Sequence, residues 1–217
     1  MRVLILLTAM ALAAPAGAGG IIGKVELIEK KGRKAKDHSS VVVYVDGIQV
    51  DTPAEELSMA MKRKAFVPHI AVVPVGAAVE FPNEDPIFHN VFSVSGSNRF
   101  DLGLYKKPEA KAKTFEHPGV VRVYCNIHPQ MSAIVLVRDN PYYAFASRQG
   151  SFKIEDVPAG TYTLKAWHEK AKQTAETQVT VPEKGLVSAK LVLDASKHKR
   201  VRHKNKHGKD YPRKTKY

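Results

Sequence analysis

The chain has 217 residues, with 34 Lys or Arg against 21 Asp or Glu for a net charge of +13, and a single cysteine. That length holds one large domain or two small ones, and one cysteine excludes an intrachain disulfide framework. Ten of the basic residues follow Asp194 against one acid, Asp210, so the tail carries +9; with Arg2 set aside, the body from Gly19 to Asp194 keeps only +3. The basicity belongs to the tail, and no nucleic-acid partner is expected.

The amino terminus, MRVLILLTAMALAAPAGA, joins a basic residue, Arg2, to an apolar run from Val3 to Leu12 and a small-residue end at Ala16-Gly17-Ala18. This is the layout of a secretory signal peptide cleaved before Gly19. The run is short of the roughly 20 residues that span a bilayer, and no later segment is more apolar. Export to the periplasm or the medium is therefore expected, with no transmembrane segment in the mature chain. In such a compartment an unpaired cysteine is an intermolecular bridge, a reactive thiol, a metal ligand or simply a buried inert thiol.

From Gly19 onward, short β-branched and aromatic runs alternate with turn residues, which predicts strands. They are Ile21–Glu29, Ser40–Val45, Ile70–Pro74, Ala78–Phe81, Asn90–Val94, Val120–Cys125 and Ile134–Val137. Thr52 to Lys64 hints at a helix, yet Met59 and Met61 suit a strand core equally, and the stretch stays unassigned. Tyr105 and Lys106 read as a solvated loop, and His69 as exposed. Val121, Val123 and Cys125 share one face by alternation, so the cysteine ends a strand facing the core.

Asp139-Asn140-Pro141 marks a break. After it, GSFKIEDVPAGTYTLKAW (Gly150 to Trp167) reads as a hairpin turning at Pro158-Ala159-Gly160, and Glu176–Val181 and Leu186–Leu193 add two strands. This stretch resembles the carboxypeptidase regulatory-like, or transthyretin-like, β-sandwich modules. At this size it buries little surface alone and is expected to pack on the first domain. His168 reads as a surface histidine. Ser196 to Tyr217 holds almost no aliphatic residues and reads as a disordered basic tail.

The chemistry concentrates in CNIHPQM. Cys125 is followed by His128 at +3 and Met131 at +6, with Pro129 keeping the loop from becoming helical. A thiolate, imidazoles and a weak thioether are the donor set of copper electron-transfer sites. The missing second imidazole is offered by FPNEDPIFHNVF, where His89 opens a strand and Asn90 stands ready to hydrogen-bond backbone or sulfur. Two other readings are weaker. A Cys125–His128 nucleophile pair lacks an oxyanion hole, and zinc takes methionine poorly.

Residues 66–138 accordingly resemble the cupredoxin family of type 1 (blue) copper proteins. NEDPIFHNV is similar to the first-histidine segment, and YCNIHPQM to the Cys-x2-His-x2-Met loop of its amicyanin branch, which includes methylamine-utilisation proteins; plastocyanin places its methionine farther on. The resemblance implies an all-β fold: a Greek-key cupredoxin-like β-sandwich followed by the small transthyretin-like β-sandwich. The expected divisions are 1–18 signal peptide, 19–138 copper domain, 139–194 second sandwich and 195–217 tail. It further implies one type 1 copper ion held by His89, Cys125, His128 and Met131, with Asn90 supporting them and the His128 edge reaching the surface. The expected function is single-electron carriage between a redox donor and acceptor, without substrate turnover. The alternative is a copper-storage, structural or envelope-attachment module. The tail is expected to meet an anionic envelope surface or an acidic protein, and its histidines could bind metal loosely.

Overall fold

The computed structural model describes residues 17–50, 57–199 and 203–211. They form an all-β protein with helical geometry only in two short 3-10 turns. In chain order the strands are β1 (Ala18–Glu29), β2 (Arg33–Lys34), β3 (Val42–Asp46), β4 (Leu57–Ser58), β5 (Ala60–Lys62) and β6 (Ala65–Val67). Next come β7 (Ile70–Pro74), β8 (Ala78–Pro82), β9 (His89–Ser93), β10 (Phe100–Tyr105), β11 (Ala110–Thr114) and β12 (Gly119–Tyr124). The last are β13 (Ser132–Arg138), β14 (Tyr143–Phe145), β15 (Ser151–Pro158), β16 (Gly160–Trp167), β17 (Ala175–Val181) and β18 (Leu186–Asp194).

Strand pairing divides the molecule differently from the expected order. One unit, within residues 57–138, pairs a five-stranded sheet, β10-β9-β12-β13-β7, with the smaller sheets β11-β8-β4 and β5-β6. The other combines β15-β1-β18 with β14-β3-β16-β17. Thus β1 and β3, expected in the copper domain, belong to the second sandwich, and the first unit is inserted within it. The physical reason is in the register: β1 runs antiparallel to β15 and parallel to β18, burying Ile21, Val25 and Leu27 between the sheets. The expected hairpin of residues 150–167 is likewise corrected. β15 pairs with β1 while β16 pairs with β3 and β17, so the chain crosses between sheets at Ala159. Phe152 and Ile154 face Leu164 and Ala166 through one core, which explains why alternation alone suggested a pair.

The central strands read as continuous apolar runs because both faces are covered. In β3, Val43 and Val45 enter the second sandwich's core, whereas Val42 and Tyr44 join Ile70, Val72, Ile134, Leu136 and Trp167 in a seam between the units. In β13, Ala133, Val135 and Val137 turn to the first unit's core and Ile134 and Leu136 to the seam. Fully burying an aliphatic side chain contributes about 1.5–3 kcal/mol, so the units share a true core layer, as expected of a small module. Arg138 reinforces it, lying 4.0 Å over the Tyr44 ring and reaching Asp46 Oδ1 at 3.1 Å. His69, exposed as expected, spans the units too, with Glu169 Oε2 3.0 Å from Nε2.

Several smaller expectations change. Residues 100–105 and 110–114 form β10 and β11; Lys106 lies in the exposed turn between them as expected, but Tyr105 ends β10 and is buried, its hydroxyl donating to Phe81 O at 2.8 Å. Met59 and Met61 are both core, while residues 51–56 of the unassigned stretch lie outside the described residues. So do residues 1–16 of the expected signal peptide; Ala18 already pairs with Pro158. His168 is 4% exposed rather than superficial. Among the described residues no helix is long and apolar enough to cross a membrane.

Candidate metal centre

The site lies at one end of the inserted unit, where β9 begins and β12 ends. Upstream of β9, Asn83 organises the loop: its side-chain amide donates to Ile87 O and Tyr105 O, each at 3.0 Å, and its carbonyl accepts the Asp85 N–H at 2.9 Å. Asp85 is thereby aimed at the Arg63-Lys64 turn between β5 and β6. Both turn residues have positive φ (53° and 57°), which the type I′ form of a two-residue hairpin loop requires and which costs a side-chain-bearing residue about 1–2 kcal/mol. The Asp85 carboxylate offsets that strain by accepting both backbone N–H groups, at 2.7 and 2.8 Å.

The same carboxylate also takes His89 Nε2 at 2.8 Å. Burial alone would raise the Asp85 carboxyl, but the Lys64 N–H, the His89 ring and the Arg63 N–H outweigh it and hold it below the usual range. An ionised acceptor fixes the proton on Nε2 and leaves Nδ1 of His89 bare. That atom lies 3.0 Å from His128 Nδ1 and 3.9 Å from Cys125 Sγ, and the latter two are 3.5 Å apart. Among the described residues this is the one group of three such side chains converging on a common point, and all three are buried.

The loop from β12 to β13 is closed by its own backbone. Met131 N–H donates to His128 O at 2.9 Å and Cys125 N–H to Met131 O at 3.2 Å. Met131 is buried in the same core cluster as Cys125. Asn90, 1% exposed, accepts the Asn126 N–H at 3.2 Å and donates to Asp101 Oδ1 and Gly103 O, tying β9, β10 and the ligand loop together. Burial pushes the Cys125 thiol up, opposed by backbone hydrogen bonds from Asn90, Ile127 and His128. Burial, followed by the neighbouring His89 ring and Lys64, pushes His128 down to about 4. His128 is therefore neutral at pH 7, the form that ligates. The residue is 6% exposed, so only a small part of its edge is open to solvent.

The donors suit a soft transition metal. Bonds of about 2.0–2.3 Å hold neighbouring ligands roughly 3.5 Å apart, and the three observed separations bracket that value. Thiolate, two imidazoles and a thioether match copper better than zinc or calcium.

The tail supplies contacts that sequence reasoning missed. Tyr211 Oη donates to Cys125 O at 2.8 Å, Lys206 N–H to Asn126 Oδ1 at 3.0 Å, and Lys206 Nζ pairs with Asp101 Oδ2 at 2.6 Å. The His203 ring stacks on Tyr124 at 4.3 Å. Residues 203–211 thus pack on the ligand loop, against the expectation of disorder. Asp85 was also missed; its one signal was the i,i+4 spacing to His89. His69, His168 and His203 join no ligand cluster among the described residues.

Residues 126–187 match the family model described as polysaccharide lyase family 4, domain II, which is under a third of the chain. No curated protein matches. Similar solved structures include a copper-containing nitrite reductase from Thermus scotoductus SA-01, 27% identical, with 42% of this chain covered and a TM-score of 0.37. The chain spans only 25% of that protein's length. A reduced amicyanin mutant is 21% identical over 44% of this chain and 98% of its own, with a TM-score of 0.37. A purple cupredoxin from Nitrosopumilus maritimus is 20% identical over 53% of this chain and 99% of its own, with a TM-score of 0.32. Overlaps this partial leave the functional reading to the site's own geometry.

Proposed function

We propose that this protein is an exported, cupredoxin-like copper protein that carries single electrons between redox partners and turns over no substrate. The observation that carries this reading is the convergence of His89 Nδ1, His128 Nδ1 and Cys125 Sγ within 3.9 Å in a buried pocket. Met131 lies on the same loop as a weak fourth donor. A copper ion bound there would supply one-electron Cu(II)/Cu(I) exchange.

The chain's part is to hold the donors still. Asp85 orients His89, Asn90 fixes the Cys125–Asn126 turn to β9, and the closed loop sets Met131 against His128. Burial keeps water out and keeps His128 unprotonated. None of these residues moves a proton along a reaction path, so no general acid or base is required. Donors fixed by strands and buttressed hydrogen bonds change little between oxidation states, which favours electron exchange over storage.

Adding Cu(II) to the pure protein and recording its visible spectrum tests the reading. An intense thiolate-to-copper band is expected in the wild type and absent in Cys125→Ser. It should bleach and return through reduction and reoxidation. A protein that stays colourless, or that releases copper on reduction, overturns electron carriage in favour of storage or a structural role.

A further inference from the structure

The two units do not close on each other completely. Beside the seam is an open cleft of about 1190 Å³, bounded by β12 and β13, by residues 169–172 and by the start of the tail. Arg122, Lys170, Lys172, Lys197 and Lys199 line it, against the single carboxylate of Glu169. Glu169 is already engaged, 3.0 Å from His69 Nε2. Among the described residues, only Lys170 of these cations reaches a carboxylate, Glu29 at 3.9 Å. A second cavity of about 500 Å³ shares Arg122 and Lys172 and prolongs the cationic surface past Trp167 and His117. Concave walls that exclude water strengthen such a field.

One wall of the cleft is Tyr124. Its ring is half-buried, faces the Arg122 side chain and stacks on His203. The next residue is Cys125, so the ring connects to the sulfur through covalent bonds alone. His128, by contrast, is only 6% exposed and presents little edge to a partner.

We infer that this cleft is the docking surface for a carboxylate-rich face of a one-electron redox protein, with Tyr124 as the group nearest the thiolate at the point of contact. The inference rests on the electron-carrier reading. It gives the second sandwich a role, because β16 leads into residues 169–172 and the apolar seam fixes those lysines beside Tyr124. Charge complementarity of this kind acts mainly on the encounter rate and is weakened by salt.

The copper-loaded full chain tests it with two inorganic oxidants of opposite charge. With hexacyanoferrate(III), one electron leaves the reduced protein and hexacyanoferrate(II) forms; no atom or proton is transferred. The cationic tris(phenanthroline)cobalt(III) serves as the counterpart. In the triple variant Lys170→Glu, Lys172→Glu, Lys197→Glu, exchange with the anion should slow by about tenfold or more at low ionic strength. Exchange with the cation should hold or quicken. Lys106→Glu, whose ammonium lies over the Phe88 ring 5.6 Å away at the His89 side, is the control and should change neither rate by more than about twofold. Labelled oligoglutamate should bind the metal-free wild type in a salt-sensitive manner and the triple variant more weakly, the remaining binding coming from the basic tail.

Wild-type exchange with hexacyanoferrate(III) in the triple variant, a larger effect from Lys106→Glu, or undiminished oligoglutamate binding by the triple variant overturns the assignment. A chain that takes up no copper overturns electron carriage instead, while the oligoglutamate measurement, which needs no metal, still decides the cleft.

Discussion

Replacing Asp85 by Asn changes one atom and separates the metal centre's support from its ligands. The carboxylate accepts three hydrogen bonds: Arg63 N–H on Oδ1, and Lys64 N–H and the His89 ring on Oδ2. An amide cannot satisfy all three. If its oxygen replaces Oδ2, its NH2 meets the Arg63 N–H donor to donor. If it is flipped, the NH2 opposes Lys64 N–H, and it can serve His89 only as a donor to Nε2, which moves the ring proton to Nδ1 and blocks the ligating atom. Removing a group that orients a metal-binding histidine typically costs 10–100-fold in affinity, so a loss of about 30-fold is expected. Hydrogen bonds to a charged group contribute about 1.5–3 kcal/mol each; with one bond lost and the positive-φ turn less well held, unfolding stability should fall by about 2 kcal/mol. Copper affinity is measured by competition with a chelator, and stability by urea unfolding of the metal-free chain. In either orientation the His89 ring loses its ionised acceptor, so copper affinity within twofold of wild type would refute the claim that the Asp85 charge supports His89 as a ligand.

Three further outcomes follow from the geometry. Tyr211→Phe deletes the hydrogen bond to Cys125 O, worth about 0.5–1.5 kcal/mol; hydrogen exchange should quicken in residues 203–211, and the thiolate-to-copper band should shift, whereas an unchanged profile would detach the tail from the site. His168 is pushed down to about 4 by burial and then by Lys170, from an ordinary 6.5, so above pH 6.5 it is neutral whether folded or unfolded and contributes nothing. As pH falls towards 4 the unfolded chain gains the proton first, and stability drops by up to about 3 kcal/mol. His168→Asn, which keeps an acceptor for the Lys170 N–H, should flatten the urea-midpoint difference between pH 7 and 4.5. Finally, a methyl group at Gly23 would press on the Ala189 carbonyl and the Phe152 ring, so Gly23→Ala should lower stability by about 1–3 kcal/mol, read from the same urea transitions.

The strands that carry the site were legible because their signals are local. Val121, Val123 and Cys125 alternate into one core, and Cys125, His128 and Met131 declare their chemistry within seven residues. What escaped was non-local. Nothing in AGGIIGKVELIE says that its partners lie beyond residue 150, since alternation specifies a buried face but not which sheet will bury it. Phe152, Ile154, Leu164 and Ala166 carry the same pattern whether paired side by side or facing across a core. AKAKT in β11 lacked β-branched weight apart from Thr114 and depends on its pairing with β8. The tail was misjudged because composition counts aliphatics, whereas residues 203–211 are held by Tyr211, Lys206 and a stacked imidazole.

The parallel pairing of β1 with β18 orders events during synthesis. Gly20 meets Leu186 and Ile28 meets Asp194, so the first strand to leave the ribosome waits for nearly the last before its ladder can form. The unit between them needs no part of either strand and can fold while β1 is still single. Contacts so distant in sequence are slow to form, and an unpaired apolar edge invites association in the interval. An amino-terminal cut that removed β1 would accordingly spare every strand that carries a ligand and leave β15 and β18 without the element that joins them.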